Sequence, residues 1–424
     1  MATTPSDLTG LFKEAYGDSV ENLVPEVAKL VKMVPFIERD KEEGNYYHQP
    51  VILSMEHGIT YAAPGAGAFS LNDPIAMNMG DAQIQGSQML LRAALSYDAA
   101  AKASNNKKAF VKATELIVEN MMESMTKRLE VALIYGASTG GLGIGASSAN
   151  VDATHTAVTL TTASWAAGIW AGMENAKVQF YNGSSLISSG ADSIFTIQKV
   201  NVTGRILTLT GTATGITALD SDLAGAGANV STIWFNGAKS NEMSGLDAIL
   251  VNTGTLFNIS ATTYSLWRSS SYGCGSAALT MGKVLSAITD PVNRGLTENA
   301  TLLINPKTWG NLNSDLSALR RFDGSYEKRK GENGVMGIVY YAQNGEINIV
   351  SHSCVKEGEG FLFPEKKLQR PGAQDLSFKT PGREDEIFLH LPSNAGFELR
   401  LYTDQAIFLK TPARATKLTA IVNS

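Results

Sequence analysis

One uninterrupted helical stretch, Phe110 to Tyr135, constrains this chain more than any other feature. It contains neither proline nor glycine, and Glu, Lys, Met, Leu and Ala dominate it. Leu116, Ile117, Met121, Met125, Leu129, Ala132 and Leu133 recur at helical spacing and form one apolar stripe. Ala103-Ser104-Asn105-Asn106 offers side chains to cap its start. Gly136 supplies the residue type that most easily takes a left-handed turn at its end. Glu123 precedes Lys127 by one turn, the favourable order for an ion pair on a helix surface. At 1.5 Å per residue the rod is roughly 40 Å long. Such a rod braces an extended subunit. It carries no evident chemistry.

The flanks reinforce that reading. Residues 1–45 read as an arm, with short helices over Leu8–Ala15 and Ser19–Met33, broken by Gly17-Asp18 and Pro25. Val34-Pro35-Phe36-Ile37 is an apolar patch, and the charge run Glu38 to Glu43 reads as a solvated turn. Residues 46–100 form an extended β-loop. Tyr46–Tyr61 leads out, Pro64 to Ala68 makes the tip, and Ala82–Tyr97 returns. A long two-stranded ribbon is marginal in water and leaves open edges, so it needs something to lean on. After Gly136, the run Ser138 to Ala146 is rich in glycine. It lacks the spacing of a phosphate loop and follows a helix, so it reads as a connector.

Residues 101–173 thus hold the long helix and the start of the main body. Over residues 174–240 the character changes. Lys177–Phe180, Ser193–Val202, Arg205–Leu209 and Ser231–Phe235 are short strand signals separated by Asn182-Gly183, Thr203-Gly204 and a loose Gly211–Val230. That spacing predicts a small inserted β-barrel or sandwich. Residues 241–424 resume the body, with a helix over Thr280–Asn293, a buried strand over Ala300–Ile304 and a helix over Lys307–Leu319. A hairpin turns at Asn344-Gly345, and Gly360–Pro364, Glu386–Leu391 and Gly396–Phe408 supply further strands. The fold class is α+β.

A search for chemistry ends without an assignment. Net charge is −5, which gives no general attraction to nucleic acid or anionic membrane. No apolar run is long enough to span a bilayer, and the first residues lack a signal-peptide pattern, so synthesis in a cytoplasm is expected. Two cysteines exclude a disulfide framework. His48, His57, His155, His352 and His390 form no metal-binding pair at helical spacing. His352 and Cys354 are two residues apart on the strand leaving the hairpin. They read as a metal pair, as a nucleophile with its base, or as a buried thiol beside a satisfied histidine. Gly136-Ala137-Ser138-Thr139-Gly140 matches the letters of a nucleophile elbow, but a helix precedes the serine where the elbow needs a strand. Glu42-Glu43 and Glu384-Asp385-Glu386 are carboxylate runs suited to solvated turns. Arg320-Arg321 and Lys328-Arg329-Lys330 are basic, yet Asp323, Glu327 and Glu332 interleave. No catalytic residue, cofactor-binding residue or metal ligand is assigned.

The order of segments resembles the major capsid proteins of tailed bacteriophages, in particular podophage-type coats. Phe12 to Asp18 with Val20 to Pro25 is similar to their arm opening. Tyr46-Tyr47-His48-Gln49-Pro50-Val51 and Glu56 to Tyr61 resemble the ascending strand of their extended loop. Lys127 to Glu130 with Leu133 to Gly136 resembles the end of their spine helix, and Leu302 to Trp309 the strand-to-helix passage of their peripheral domain. The resemblance implies an HK97-like capsid fold: N-terminal arm, extended β-loop, spine helix, and peripheral and axial domains, here with an inserted β-domain. It implies a structural subunit, not an enzyme, that assembles with itself into hexamers and pentamers around double-stranded DNA. Expected partners are scaffolding, portal and decoration proteins and, without sequence preference, packaged DNA. The expected location is the virion. The alternative of the same fold is an encapsulin-like nanocompartment. Some family members join subunits by a lysine–asparagine bond; the loop tip Pro64–Gly80 contains no lysine, so no such ladder is expected here. The arm begins near Met1, so any scaffold is expected as a separate protein.

Overall fold

The computed structural model describes residues 28–38, 46–96, 107–225, 231–250, 253–314, 337–343, 345–378, 388–390 and 395–423. Several expectations therefore lie outside the described residues: the helix over Leu8–Ala15, the caps at residues 103–106 and the basic and acidic runs around 320–332 and 384–386.

The long helix spans Lys107–Tyr135, starting before Phe110, and is about 43 Å long at 1.5 Å per residue. Ile117 is half-buried, and Met121 and Met125 pack on Leu399 and Leu401. From Leu129 onward every side is buried, so the stripe gives way to a helix that crosses the core. The surface pair expected between Glu123 and Lys127 is not how Lys127 is used. Its ammonium is buried and donates to the Ala171 carbonyl, because a desolvated donor needs a partner within the core.

Gly136 also plays a different part from the one its type suggests. The left-handed residue after the helix is Ala137, with φ of 51°. A Cβ on Gly136 would meet the Met243 carbonyl oxygen at 2.3 Å, so glycine is required there for close approach of two backbones.

The extended loop leaves and returns as strands Tyr47–Ile52 and Met79–Ile84, paired antiparallel from Tyr47↔Ile84 to Ile52↔Met79. The expected return strand, Ala82–Tyr97, divides in two. Its first residues pair with the outgoing strand. Ser87–Ser96 belongs to a different, six-stranded sheet and lies along the whole of Gly396–Gln405. Gly86 stands at the break, where a Cβ would meet Asp404 Oδ1 at 2.2 Å. The same sheet takes in Leu368–Ser377 and the short strand Phe36–Glu38, which pairs parallel to it; the apolar patch of the arm is thus a sheet edge.

A second six-stranded sheet runs in the order Ser270–Ala277, Thr416–Ile421, Gly360–Pro364, Ala300–Ile304, Gly345–Ser351, Gly337–Ala342. Ala300–Ile304 is its central strand and is buried throughout. Leu302 and Ile304 join one core with Val284, Ala287 and Ile288 of the helix Met281–Asn293, while Leu303 joins the main core with Phe361 and Phe363. Burial on both faces explains the unbroken apolar run. Thr280 caps the helix, Asn305 caps the next one, and Pro306 takes its first turn. That next helix is Pro306–Asn313; its expected extension to Leu319 lies outside the described residues. A hairpin forms where Asn344-Gly345 signalled one, but the turn lies one residue earlier than expected: Ala342 pairs with Gly345, so Gly345 stands in the returning strand.

The remaining large sheet has seven strands, and its pairings close on themselves. Gly143–Asp152, His155–Leu160, Ile206–Thr210, Phe195–Asn201 and Lys177–Asn182 follow one another, and Ser231–Phe235 bonds to both Lys177–Asn182 and Gly143–Asp152. The result is a closed ring of strands. Two expectations are corrected. The glycine-rich stretch read as a connector becomes strand from Gly143, and the loose segment after Gly211 becomes the helix Ala213–Ala224. Thr212 accepts the Gly215 N–H, and Ile216, Leu219 and Leu223 turn into the core at helical spacing.

Candidate functional site

At Glu130 the long helix presents a carboxylate with no access to solvent. Its Oε1 accepts the Leu30 N–H at 2.5 Å and its Oε2 the Val31 N–H at 2.9 Å. These are free donors of the arm helix Lys29–Met33, which Glu130 therefore caps from another element. The arm's far end is held as well. Arg370 Nε donates to the Val34 carbonyl at 2.8 Å, and its Nη1 to Gln405 Oε1 at 2.8 Å. A buried anion at one end and a buried cation at the other thus fasten residues 30–34 to the helix and the sheet.

His352 completes the cluster. Its Nε2 lies 2.7 Å from Glu130 Oε1, and its Nδ1 accepts the Cys354 N–H at 3.1 Å. An accepting Nδ1 places the ring proton on Nε2, so the imidazole is neutral and donates to Glu130. The strand ends at Ser351, so the two side chains do not share a strand face as their spacing implied. The imidazole meets the cysteine's backbone, not its thiol. Burial, and then the nearby Glu130 carboxylate, push the Cys354 thiol up to about 12. A thiol held so far from ionisation is no nucleophile near neutral pH. The dyad reading of His352 and Cys354 fails on this geometry. Among the described residues, no group of three or more His, Cys, Asp or Glu is arranged to hold a metal.

Ser138 of the elbow-like letters follows a helix, as its sequence context indicated. Its hydroxyl donates to Asp247 Oδ2 at 2.5 Å. Asp247 and Lys417 form a buried ion pair, and Lys417 reaches Glu359 Oε1 at 2.9 Å. Neither Glu130 nor Asp247 stood out in the sequence. A lone acid on a helix gives no sign of burial until its distant partners are known.

The extended loop offers the opposite surface. Leu53, Ala82 and Ile84 at its base are buried in the main core. Beyond them Met55, Ile59, Tyr61, Phe69, Leu71, Ile75 and Met77 stand exposed, Tyr61 at 88% and Leu71 at 78%. The limbs are tied to each other by His57 N–H to Ile75 carbonyl at 3.1 Å and by Asn72 N–H to Thr60 Oγ1 at 2.8 Å. The result is a dense apolar surface on a loop whose limbs are tied to each other.

No protein-family model matches this chain, and no curated protein sequence does. Solved structures do. A chain of the cyanophage A-1(L) capsid superposes with a TM-score of 0.59 over 99% of both chains, at 10% identity. The fold is a capsid fold. The capsid chain of the empty GTA particle matches with a TM-score of 0.51 over 99% of this chain and 98% of its own, at 9% identity. That of the native GTA particle gives 0.50 over 97% and 96%, again at 9%. At such identities the likeness is one of chain path. The match runs over nearly the whole chain, the ring of strands as well as the body.

Proposed function

We propose that this chain is the major capsid protein of a tailed bacteriophage, a structural subunit that assembles with itself into hexamers and pentamers and encloses double-stranded DNA. The observation that carries the reading is the end-to-end match to a cyanophage capsid chain, covering 99% of each. The exposed loop supports it. Its apolar limbs have no cover among the described residues, and repeated copies around a closed shell would provide one. Many weak contacts of this kind, made by every subunit, sum to a firm assembly. In this reading the subunit is not an enzyme, needs no cofactor, and resides in the virion after synthesis in the host cytoplasm.

The domain division follows from the same reading. Residues 1–45 are the arm, 46–100 the extended loop, 101–173 the spine helix and the first part of the body, 174–240 the inserted β-domain, and 241–424 the rest of the peripheral and axial domains. The ring of strands supports an inserted barrel, although its strands start at Gly143. Scaffolding, portal and decoration proteins are the expected partners, and DNA meets the inner wall through scattered Lys and Arg and their counterions.

Negative-stain electron microscopy with light scattering of the protein expressed alone tests this. Hollow shells, capsomer rings, sheets or tubes are expected. A monodisperse monomer or dimer under every assembly condition overturns the proposal.

A further inference from the structure

Just beyond the long helix, four charged side chains converge in the interior. Lys356, Lys417 and Asp247 are buried, and the Glu359 side chain is 21% exposed. The Lys417 ammonium touches Asp247 Oδ1 and lies 2.9 Å from Glu359 Oε1. Asp247 Oδ2 accepts the Ser138 hydroxyl, whose oxygen in turn accepts the Gly140 N–H at 3.2 Å. The rings of Tyr135 and Phe361 pack edge to face at 5.9 Å, and Lys417 Nζ lies 5.9 Å from the Phe361 centroid. Glu359 Oε2 is buried and has no hydrogen-bond partner among the described residues.

We propose that Lys417 and Asp247 condense into an amide bond within the chain, with Glu359 carrying the protons. The reading is independent of whether the chain builds a shell.

The arrangement supplies each part of the reaction. The attacking nitrogen already touches an oxygen borne by the carbon it would attack, and folding holds the two groups together without any translational cost. Burial opposes the Lys417 ammonium, but Glu359 and Asp247 together outweigh it and hold the proton on nitrogen until one carboxylate takes it. Proton transfer to Glu359, whose Oε1 already lies 2.9 Å from Nζ, frees the amine. Nζ then bonds to Asp247 Cγ. The Ser138 hydroxyl steadies the oxygen of the tetrahedral carbon, in the manner of an oxyanion donor. Glu359 delivers the protons taken from nitrogen to Oδ1, the C–Oδ1 bond breaks, and water leaves. An ammonium and a carboxylate become a neutral amide and one water, so atoms and charge balance. One positive and one negative charge disappear from a volume where both were costly, leaving Lys356 with Glu359.

Such a bond ties the segment Leu246–Leu250 to the strand Thr416–Ile421, 170 residues further on. It is internal, so it gives no ladder of joined subunits.

The test is the mass of the full-length chain under denaturing conditions, followed by tryptic peptides. The wild type is expected to fall short of its sequence mass by about 18 Da, one water. Cleavage after Lys417 is expected to fail, and one joined peptide pair should carry Asp247 and Lys417. Lys417→Arg keeps the charge but is expected to show the full mass, as is Glu359→Gln. Wild-type peptides that separate at their sequence masses overturn the bond, and they do so whether or not either variant folds. A persistent deficit in Glu359→Gln overturns the role given to Glu359.

Discussion

Gly245 and Gly136 stand back to back. The Gly245 N–H donates to the Gly136 carbonyl at 2.7 Å, and a Cβ on Gly245 would lie 2.6 Å from the Gly136 nitrogen. The long helix thus ends against the segment that follows the ring of strands, with no side chain between the two backbones. Gly136→Ala and Gly245→Ala must each push backbone apart. Each is expected to lower unfolding free energy by about 3 kcal/mol, the upper range for overpacking, because neither neighbour is a flexible side chain. Urea denaturation of the purified protein measures this, and a loss below about 0.5 kcal/mol contradicts the contact.

Glu130 offers a sharper dissection. Glu130→Ala strands the Leu30 donor and the His352 ring within the core and the half-buried Val31 donor beside them. The expected cost is about 3 kcal/mol or more. Limited proteolysis should then cut before Val34 much faster than in the wild type. Equal cutting rates would show that Glu130 is not what holds the arm.

The loop can be tested without touching the core. Met55→Asp and Leu71→Asp alter exposed side chains and should change stability by no more than about 0.5 kcal/mol. Assembly should nevertheless fall sharply by light scattering. Normal assembly in both variants would remove the loop from the contacts between subunits.

Glu242 predicts a pH dependence. Burial raises its carboxyl from 4.5 to about 7, against the pull of Arg128, whose guanidinium lies 3.3 Å above the Phe235 ring. A carboxyl with a raised folded pKa keeps its proton where the unfolded chain has lost it. Its contribution is therefore fully present below pH 4.5 and declines as pH rises through about 7. Glu242→Gln should flatten the stability profile across that window. A profile of unchanged slope there would mean that the carboxyl is solvated.

Both cysteines are free and buried. A thiol reagent at pH 8 is expected to label neither in the folded subunit and both after denaturation. Rapid labelling of Cys354 in the native state would contradict its place behind His352.

Much of this architecture was legible in the sequence, because its signals are local. The long helix has an unbroken run of helix formers, the hairpin has Asn344-Gly345, and the helix after Ala300–Ile304 has Asn305-Pro306 at its start. Misreadings arose where glycine means closeness and not looseness. Gly143 and Gly145 lie in a strand, Gly215 opens a helix, and Gly136 allows two backbones to touch. The strands Ser270–Ala277, Leu368–Ser377 and Thr416–Ile421 gave little signal, since small and polar residues interrupt them and their partners supply the register. Buried charges were invisible for a related reason. Glu130 finds its partners 100 and 222 residues away, and Asp247 finds Lys417 at 170. Nothing within a few residues of either acid announces that it leaves water.

The projecting loop has a consequence for timing. Tyr61 and Leu71 stand in water, and a shell subunit that carries them would be dispersed when dilute and driven together above a threshold concentration, as a surfactant is. In the proposed shell, synthesis rate and not only affinity would decide when particles appear. A few polar substitutions on the loop would delay that onset without weakening the folded subunit.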